Sequence, residues 1–193
     1  GLAALQREGK IALEDVFALL RSHGPGEPAA DWRPPADGEA LICMHAGAPE
    51  ASETAASMVV ELPKGRENGH PYLLWASLAS PCLSSFVPVW QDSGPPEGWS
   101  QPRAGGADRW WNTEAMQRRI ELDYGRFAGA PQAIFAALEA ETLAAVRGLA
   151  LDASRTARTQ LTQQVARRQE AACRIIDAMT QACAADVVSP RRP

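Results

Sequence analysis

Thr54-Ala55-Ala56-Ser57-Met58-Val59-Val60-Glu61-Leu62 places Ala56, Met58, Val60 and Leu62 on one face and Ala55, Ser57, Val59 and Glu61 on the other, which is the period of a β-strand. Both faces are largely apolar. Such a strand fits the middle of a layered structure better than a sheet with one solvated side. Residues 63–70 form a polar turn, and 71–79 read as the partner strand of a hairpin. Residues 84–90 add an extended segment, which Pro88 confines to an edge or a bulge because proline has no N–H for a ladder. Upstream, 40–46 is a further short, apolar, strand-like run.

Helical periodicity lies on both sides. Leu13, Val16, Phe17 and Leu20 recur at i, i+3, i+4 and i+7, with Glu14 and Asp15 in the first turn, where the backbone dipole favours negative charge. Gly24-Pro25-Gly26 ends this helix, although Ala12 cannot accept from its free amides. Residues 24–38 hold four prolines and three glycines, so a surface loop is predicted there, pinned by Trp32. Residues 92–106 are a second connector. Beyond it Met116, Ile120 and Phe127 mark one helix, and Pro131 starts another that runs to Leu149. In a third, Leu161, Val165, Ala172, Ile176, Met179 and Cys183 recur at spacings of three, four or seven, interrupted at Arg168. These helices should pack on each other or on the sheet, leaving 190–193 as a frayed tail.

Composition bounds the class. The 193 residues are 46 % hydrophobic and 22 % charged, an ordinary globular balance. A formal charge of −4 gives no general electrostatic grip on nucleic acid or an anionic membrane surface. Nothing is long and apolar enough to span a bilayer, so no membrane span is expected. Only Lys10 and Lys64 are lysines, which reads as genome composition rather than function. Cys43, Cys82, Cys173 and Cys183 form no Cys-x-x-Cys pair and have no histidine at zinc-ligand spacing downstream. Cys43 and His45 share one strand face, yet two ligands do not close a tetrahedral site. A structural metal therefore has little support, and free thiols in a reducing, cytoplasmic compartment are the simpler expectation.

Ile42-Cys43-Met44-His45-Ala46-Gly47, then the strand 54–62, then Trp75-Ala76-Ser77-Leu78-Ala79-Ser80-Pro81-Cys82 resemble in order and spacing the C-terminal half of the secernin and cysteine-type dipeptidase family of N-terminal-nucleophile hydrolases. Residues 11–24 resemble the helix leading into that family's sheet. Trp110-Trp111, Arg118-Arg119, Asp123-Tyr124 and 137–141 resemble its C-terminal helices, so the likeness covers residues 1 to about 145. The resemblance implies an α+β fold: the C-terminal part of a four-layer α-β-β-α sandwich, with 1–105 belonging to the sheet domain and 106–193 forming a helical segment packed on it. It also implies hydrolysis of a dipeptide amide through an acyl-cysteine intermediate, without metal or other cofactor, by a cysteine that begins the mature chain. Here residue 1 is glycine and all four cysteines are internal. Leu2 and Leu5 at helical spacing before Gly9 read as a helix already cut. The expected partners are therefore a missing N-terminal half or second chain, a dipeptide substrate, or another copy of this chain in a homo-oligomer.

No catalytic residue is assigned within these residues. His45, Glu53 and Thr54 are the candidates for lining the substrate pocket, set against a histidine held by a backbone partner and a solvated turn. On a regular strand Cys43 and His45 would lie ~6–7 Å apart, too far to hydrogen-bond, and no third group orienting His45 is evident. Cys43 thus reads as a buried structural thiol, and Cys82 as packing at a bend. Ser57 and Ser77 lack a Gly-x-Ser-x-Gly elbow. Trp110-Trp111 reads as a core edge, while Arg118-Arg119 and Arg167-Arg168 read as solvated helix faces. No phosphate-binding glycine loop occurs. A non-catalytic interaction protein, binding a partner through helices 108–185, is the alternative.

Overall fold

Short apolar runs give the three strands, the last of them buried at every position, and proline falls in one of the two outer strands. In this computed structural model, which describes residues 11–24, 42–45, 52–62, 71–99, 108–150 and 152–188, β1 (Ala56–Glu61) pairs antiparallel with β2 (Leu73–Leu78). On the other side of β2 lies β3 (Val87–Trp90), in the order β1-β2-β3. Pro88 therefore sits on an edge strand, as its missing N–H requires. The chain is mixed α+β. No helix among the described residues is long and apolar enough to cross a membrane.

The helices are α1 (Leu13–Leu20), α2 (Arg109–Glu121), the single turn α3 (Tyr124–Phe127), α4 (Gly129–Gly148) and α5 (Arg155–Val188). Asp15 at the third helical position makes the reciprocal half of a capping box, its carboxylate accepting from the Ala12 N–H at 2.9 Å. At the start of α2, Asp108 accepts from Trp110 N–H at 2.8 Å. Pro131 falls in the first turn of α4, which ends at Gly148, and α5 begins at Arg155. One expected helix is divided: the chain turns at Leu122-Asp123 before α3, which brings Tyr124 back towards the end of α1.

Cross-strand register sorts the sheet into two faces. Val59, Leu73 and Trp75 meet Phe17, Phe86 and Leu143, so α1 and α4 cover one face. Phe17 stacks on Phe86 at 4.0 Å between centroids and meets Trp75 edge-on at 5.5 Å, a packing worth ~2–3 kcal/mol for the phenylalanine alone. On the opposite face Leu74, Val87 and Val89 meet Leu161, Val165 and Ala166 of α5. That cover does not extend to β1, whose Met58 and Val60 are 64 % and 48 % exposed. Among the described residues, the sheet is thus covered on both sides over β2 and β3 but not over β1.

The run 40–46 is not a strand where it is described, at 42–45. Met44 N–H donates to the side chain of Thr54 at 2.9 Å, while its carbonyl accepts from Thr54 N–H at 3.0 Å. Cys43 N–H donates instead to Ser22 O. With one bond spent on a hydroxyl and one on another segment, no ladder propagates. The predicted N-terminal helix, the proline-rich loop after Gly24, the 63–70 turn, the connector beyond Trp99 and the tail lie outside the described residues.

Between β2 and β3 the chain makes a buried irregular passage, with a 3-10 turn at Pro81–Leu83. Ala79 enters it at φ 54°, a left-handed conformation costing a non-glycine residue ~1–2 kcal/mol. Backbone groups buried without a ladder need partners, and helix side chains supply them. Gln117 of α2 accepts from Ser80 N–H at 2.9 Å and donates to Ser80 O and Leu83 O at 3.1 Å each. Arg21 donates to Pro81 O and Ser84 O and pairs with Glu139 of α4, which accepts from Phe86 N–H at 3.0 Å. From α5, Gln169 donates to Ser85 O and Thr162 to Pro88 O. Gln117→Leu, which keeps the volume and removes three bonds, should destabilise the chain by about 2–3 kcal/mol in urea unfolding. Gln181→Leu on the exposed side of α5 should cost under ~0.5 kcal/mol.

Candidate functional site

Four side chains from three distant stretches converge at one end of that passage. His23 follows α1, Cys43 and His45 lie on the 42–45 bend, and Cys82 sits in the 3-10 turn; their donor atoms all lie within 4.8 Å of one another. His45 Nε2 is the hub. It stands 3.0 Å from His23 Nε2, 3.5 Å from Cys43 Sγ and 3.3 Å from Cys82 Sγ. Cys43, His45 and Cys82 are buried, with 0 %, 3 % and 6 % of their surface exposed.

Local structure explains each placement. The bend at 42–45, tied to Ser22 and Thr54, turns Cys43 and His45 towards each other instead of leaving them at strand spacing. Ser22 holds the adjacent Cys43 backbone, which brings His23 alongside. Gln117 grips both sides of Cys82 through Ser80 and Leu83. Glu121, at the end of α2, approaches His45 Nδ1 to 2.6 Å. Tyr124 closes the site, its ring edge-on to both His23 and His45 at 5.8 Å and its hydroxyl bonded to Cys82.

Electrostatics separate the two thiols. The Cys82 thiol donates towards Cys43 and, with His23 and His45, holds the Cys43 thiol well below its ordinary pKa against the cost of burial. Burial first, and then the neighbouring Cys43, push Cys82 well up. Burial opposes charge on His45, but Cys43 and Glu121 outweigh it and raise the imidazole to about 9. Burial, followed by Cys82, raises the Tyr124 hydroxyl above its usual range.

Of the pocket candidates, His45 belongs to this buried cluster. Thr54 lies behind it, holding Met44, and Glu53 forms an ion pair with Arg118 at 2.7 Å. The three do not line a common cavity among those resolved. Cavities of about 290 Å³, between α2 and α5, and about 110 Å³, beside α3, are lined by other residues. Arg118 and Arg119 do more than face solvent: Arg118 joins Glu114 to Glu53, and Arg119 reaches Asp177 across to α5. Trp110 seals an edge by donating to Ala55 O at 2.8 Å, while Trp111 is 48 % exposed.

The sequence reading missed His23, Cys82, Glu121 and Tyr124 as companions of His45. The available signal was that all three of the chain's histidines and two of its four cysteines fall at residues 23–82, with His23 and Cys82 each next to a turn-forming Gly, Ser or Pro. Comparison with protein-family models, with curated proteins and with solved structures finds no match to this chain.

Two chemistries suit such a set. A thiolate backed by imidazole and carboxylate is the arrangement of a nucleophile, whereas two thiolates and two imidazoles around one point can enclose a soft cation. A nucleophile must also meet its substrate, and Cys43 has no exposed surface. Native iodoacetamide labelling should therefore modify the exposed Cys183 at least ~100-fold faster than Cys43, Cys82 or Cys173, the last also held near a pKa of 11 by burial. Labelling of Cys43 at the Cys183 rate would restore it as an accessible nucleophile.

Proposed function

We propose that this chain is the later portion of a cysteine-type peptide hydrolase resembling the secernin and dipeptidase family, whose attacking cysteine lies outside these residues. The observation that carries the reading is spatial: the stretches bearing the resemblance form one hydrogen-bonded body. Met44 is tied to Thr54, Ser80 Oγ lies 3.4 Å from Met44 O, Trp110 binds Ala55 O and Glu121 meets His45. Segments separated by up to 76 positions thus build a single wall.

The uncovered side of β1 supports the rest. Met58 and Val60 present apolar surface where α5 does not reach, and no strand pairs with the outer edge of β1 among the described residues. In the four-layer sandwich a second sheet, from an N-terminal half or a second chain, would cover that face. The reaction follows from the family likeness: a thiolate attacks the dipeptide carbonyl carbon, the amine leaves with a proton from the nucleophile's own ammonium, and water cleaves the thioester.

This chain alone should not hydrolyse dipeptides, and the protein joined to the segment encoded before it should. Inactivity of the joined protein, or hydrolysis by this chain alone, rejects the assignment. In sedimentation at rising concentration, the isolated chain should self-associate through β1; a compact monomer throughout rejects the open-sheet argument. A second reading, a non-catalytic interaction protein, draws on Ile175 and Met179, which are 57 % and 45 % exposed one turn apart on α5. Inactivity of the joined protein together with partner binding lost on Ile175→Asp would select it.

A further inference from the structure

We propose that His23, Cys43, His45 and Cys82 hold one Zn²⁺ ion in a closed tetrahedral site, a structural centre that fastens three separate stretches of the chain. The inference goes beyond the hydrolase reading, since the resembled family works without metal.

Geometry carries it. Zinc bonds of ~2.0–2.1 Å to nitrogen and ~2.3 Å to sulfur set the edges of a ligand tetrahedron at about 3.3–3.8 Å. The separations from His45 Nε2 of 3.0, 3.3 and 3.5 Å fall at or close to these edges, and every pair of donor atoms lies within 4.8 Å. Without an ion, hydrogen bonds from Cys82, His23 and His45 to Cys43 hold the group, yet they leave His45 Nε2 crowded. One imidazole nitrogen carries at most one proton, yet His45 Nε2 has three donor atoms crowded around it. A cation between the four atoms satisfies all of them at once.

The surroundings fit the same assignment. With an ion bound, Glu121 at 2.6 Å from Nδ1 would keep the proton there and leave the Nε2 lone pair to the metal, the carboxylate–histidine arrangement found behind metal ligands. Gln117 positions Cys82 from both sides, and the Tyr124 hydroxyl bonds to its sulfur. Two thiolates neutralise the divalent ion, and as Zn²⁺ enters two protons leave, so no net charge is added to the buried site. Sulfur and imidazole ligands in a tetrahedron select zinc over hard cations such as magnesium or calcium. Four protein donors leave no open position, which makes the centre structural.

Elemental analysis of the full chain, purified with its tag removed, should find one zinc per chain. After chelation and dialysis, Co²⁺ should give the intense visible bands and the thiolate-to-cobalt charge transfer of a tetrahedral sulfur and nitrogen site. Chelation should also lower Tm by about 10 °C. Cys82→Ser and His23→Ala should lose zinc, Cys183→Ser should retain it, and Glu121→Gln, with all four ligands intact, should bind it about 10–100-fold more weakly. A folded wild-type chain that contains no stoichiometric zinc and gives no tetrahedral cobalt spectrum overturns the proposal, as does undiminished zinc binding by both ligand variants. These readouts need no dipeptide hydrolysis, so the metal site and the hydrolase reading fail separately.

Discussion

The fold depends on satisfying the backbone of one buried irregular passage. Residues 79–90 are buried throughout, yet only Val87–Trp90 belong to the sheet. In that position every unpaired N–H or C=O costs ~1–3 kcal/mol, more than a three-stranded sheet of short strands can readily spare. The remedy is one long polar side chain from each neighbouring direction: Arg21 after α1, Gln117 from α2, Glu139 from α4 and Gln169 from α5. Each helix is thereby fixed in rotation as well as position, because its polar residue must face inward at one level. Apolar contacts alone, being non-directional, would not set that register.

The same requirement builds the candidate site. The left-handed turn at Ala79 and the grip of Gln117 fix Cys82, while Arg21 draws the end of α1, and hence Ser22 and His23, against the same turn. Ser22 then holds Cys43, and the bend places His45 among the other three. Strain at Ala79 persists because the surrounding bonds over-determine it, a circumstance common at functional sites. Glu121 and Tyr124 arrive together because α2 stops at Glu121 and the chain reverses into α3.

Much of the architecture was legible in residue order. Period-two alternation located β1, the polar turn after it located the hairpin partner β2, Pro88 put β3 at an edge or a bulge, and the stripe Leu13, Val16, Phe17 and Leu20 located α1. These are local properties, carried by neighbours in sequence. The site was not legible for the opposite reason. Its donors are 20 and 37 positions apart where they are not adjacent, and Cys43 and His45 approach only because the run that reads as a strand is bent. Periodicity assigns a side chain to a face and says nothing of a tie such as Ser22 to Cys43. Glu121 carries still less signal, being one acidic residue at the end of a helix full of charged neighbours.

The buried cluster also bears on where catalysis resides. Within it, Cys43 meets two of the three demands on a nucleophile, a base at 3.5 Å and a carboxylate behind that base, and fails the third, contact with substrate. A thiolate shared with a closed metal centre fails it more completely, since its lone pairs are engaged and no coordination position remains for a carbonyl. A structural role for Cys43 and a catalytic role for a different, N-terminal cysteine are therefore compatible demands on one chain. In the proposed hydrolase, the four donors would stiffen a wall and the reactive sulfur would come from another segment. On the proposed reading, burial of Cys43, His45 and Cys82 fits residues that hold a site's shape rather than residues that react.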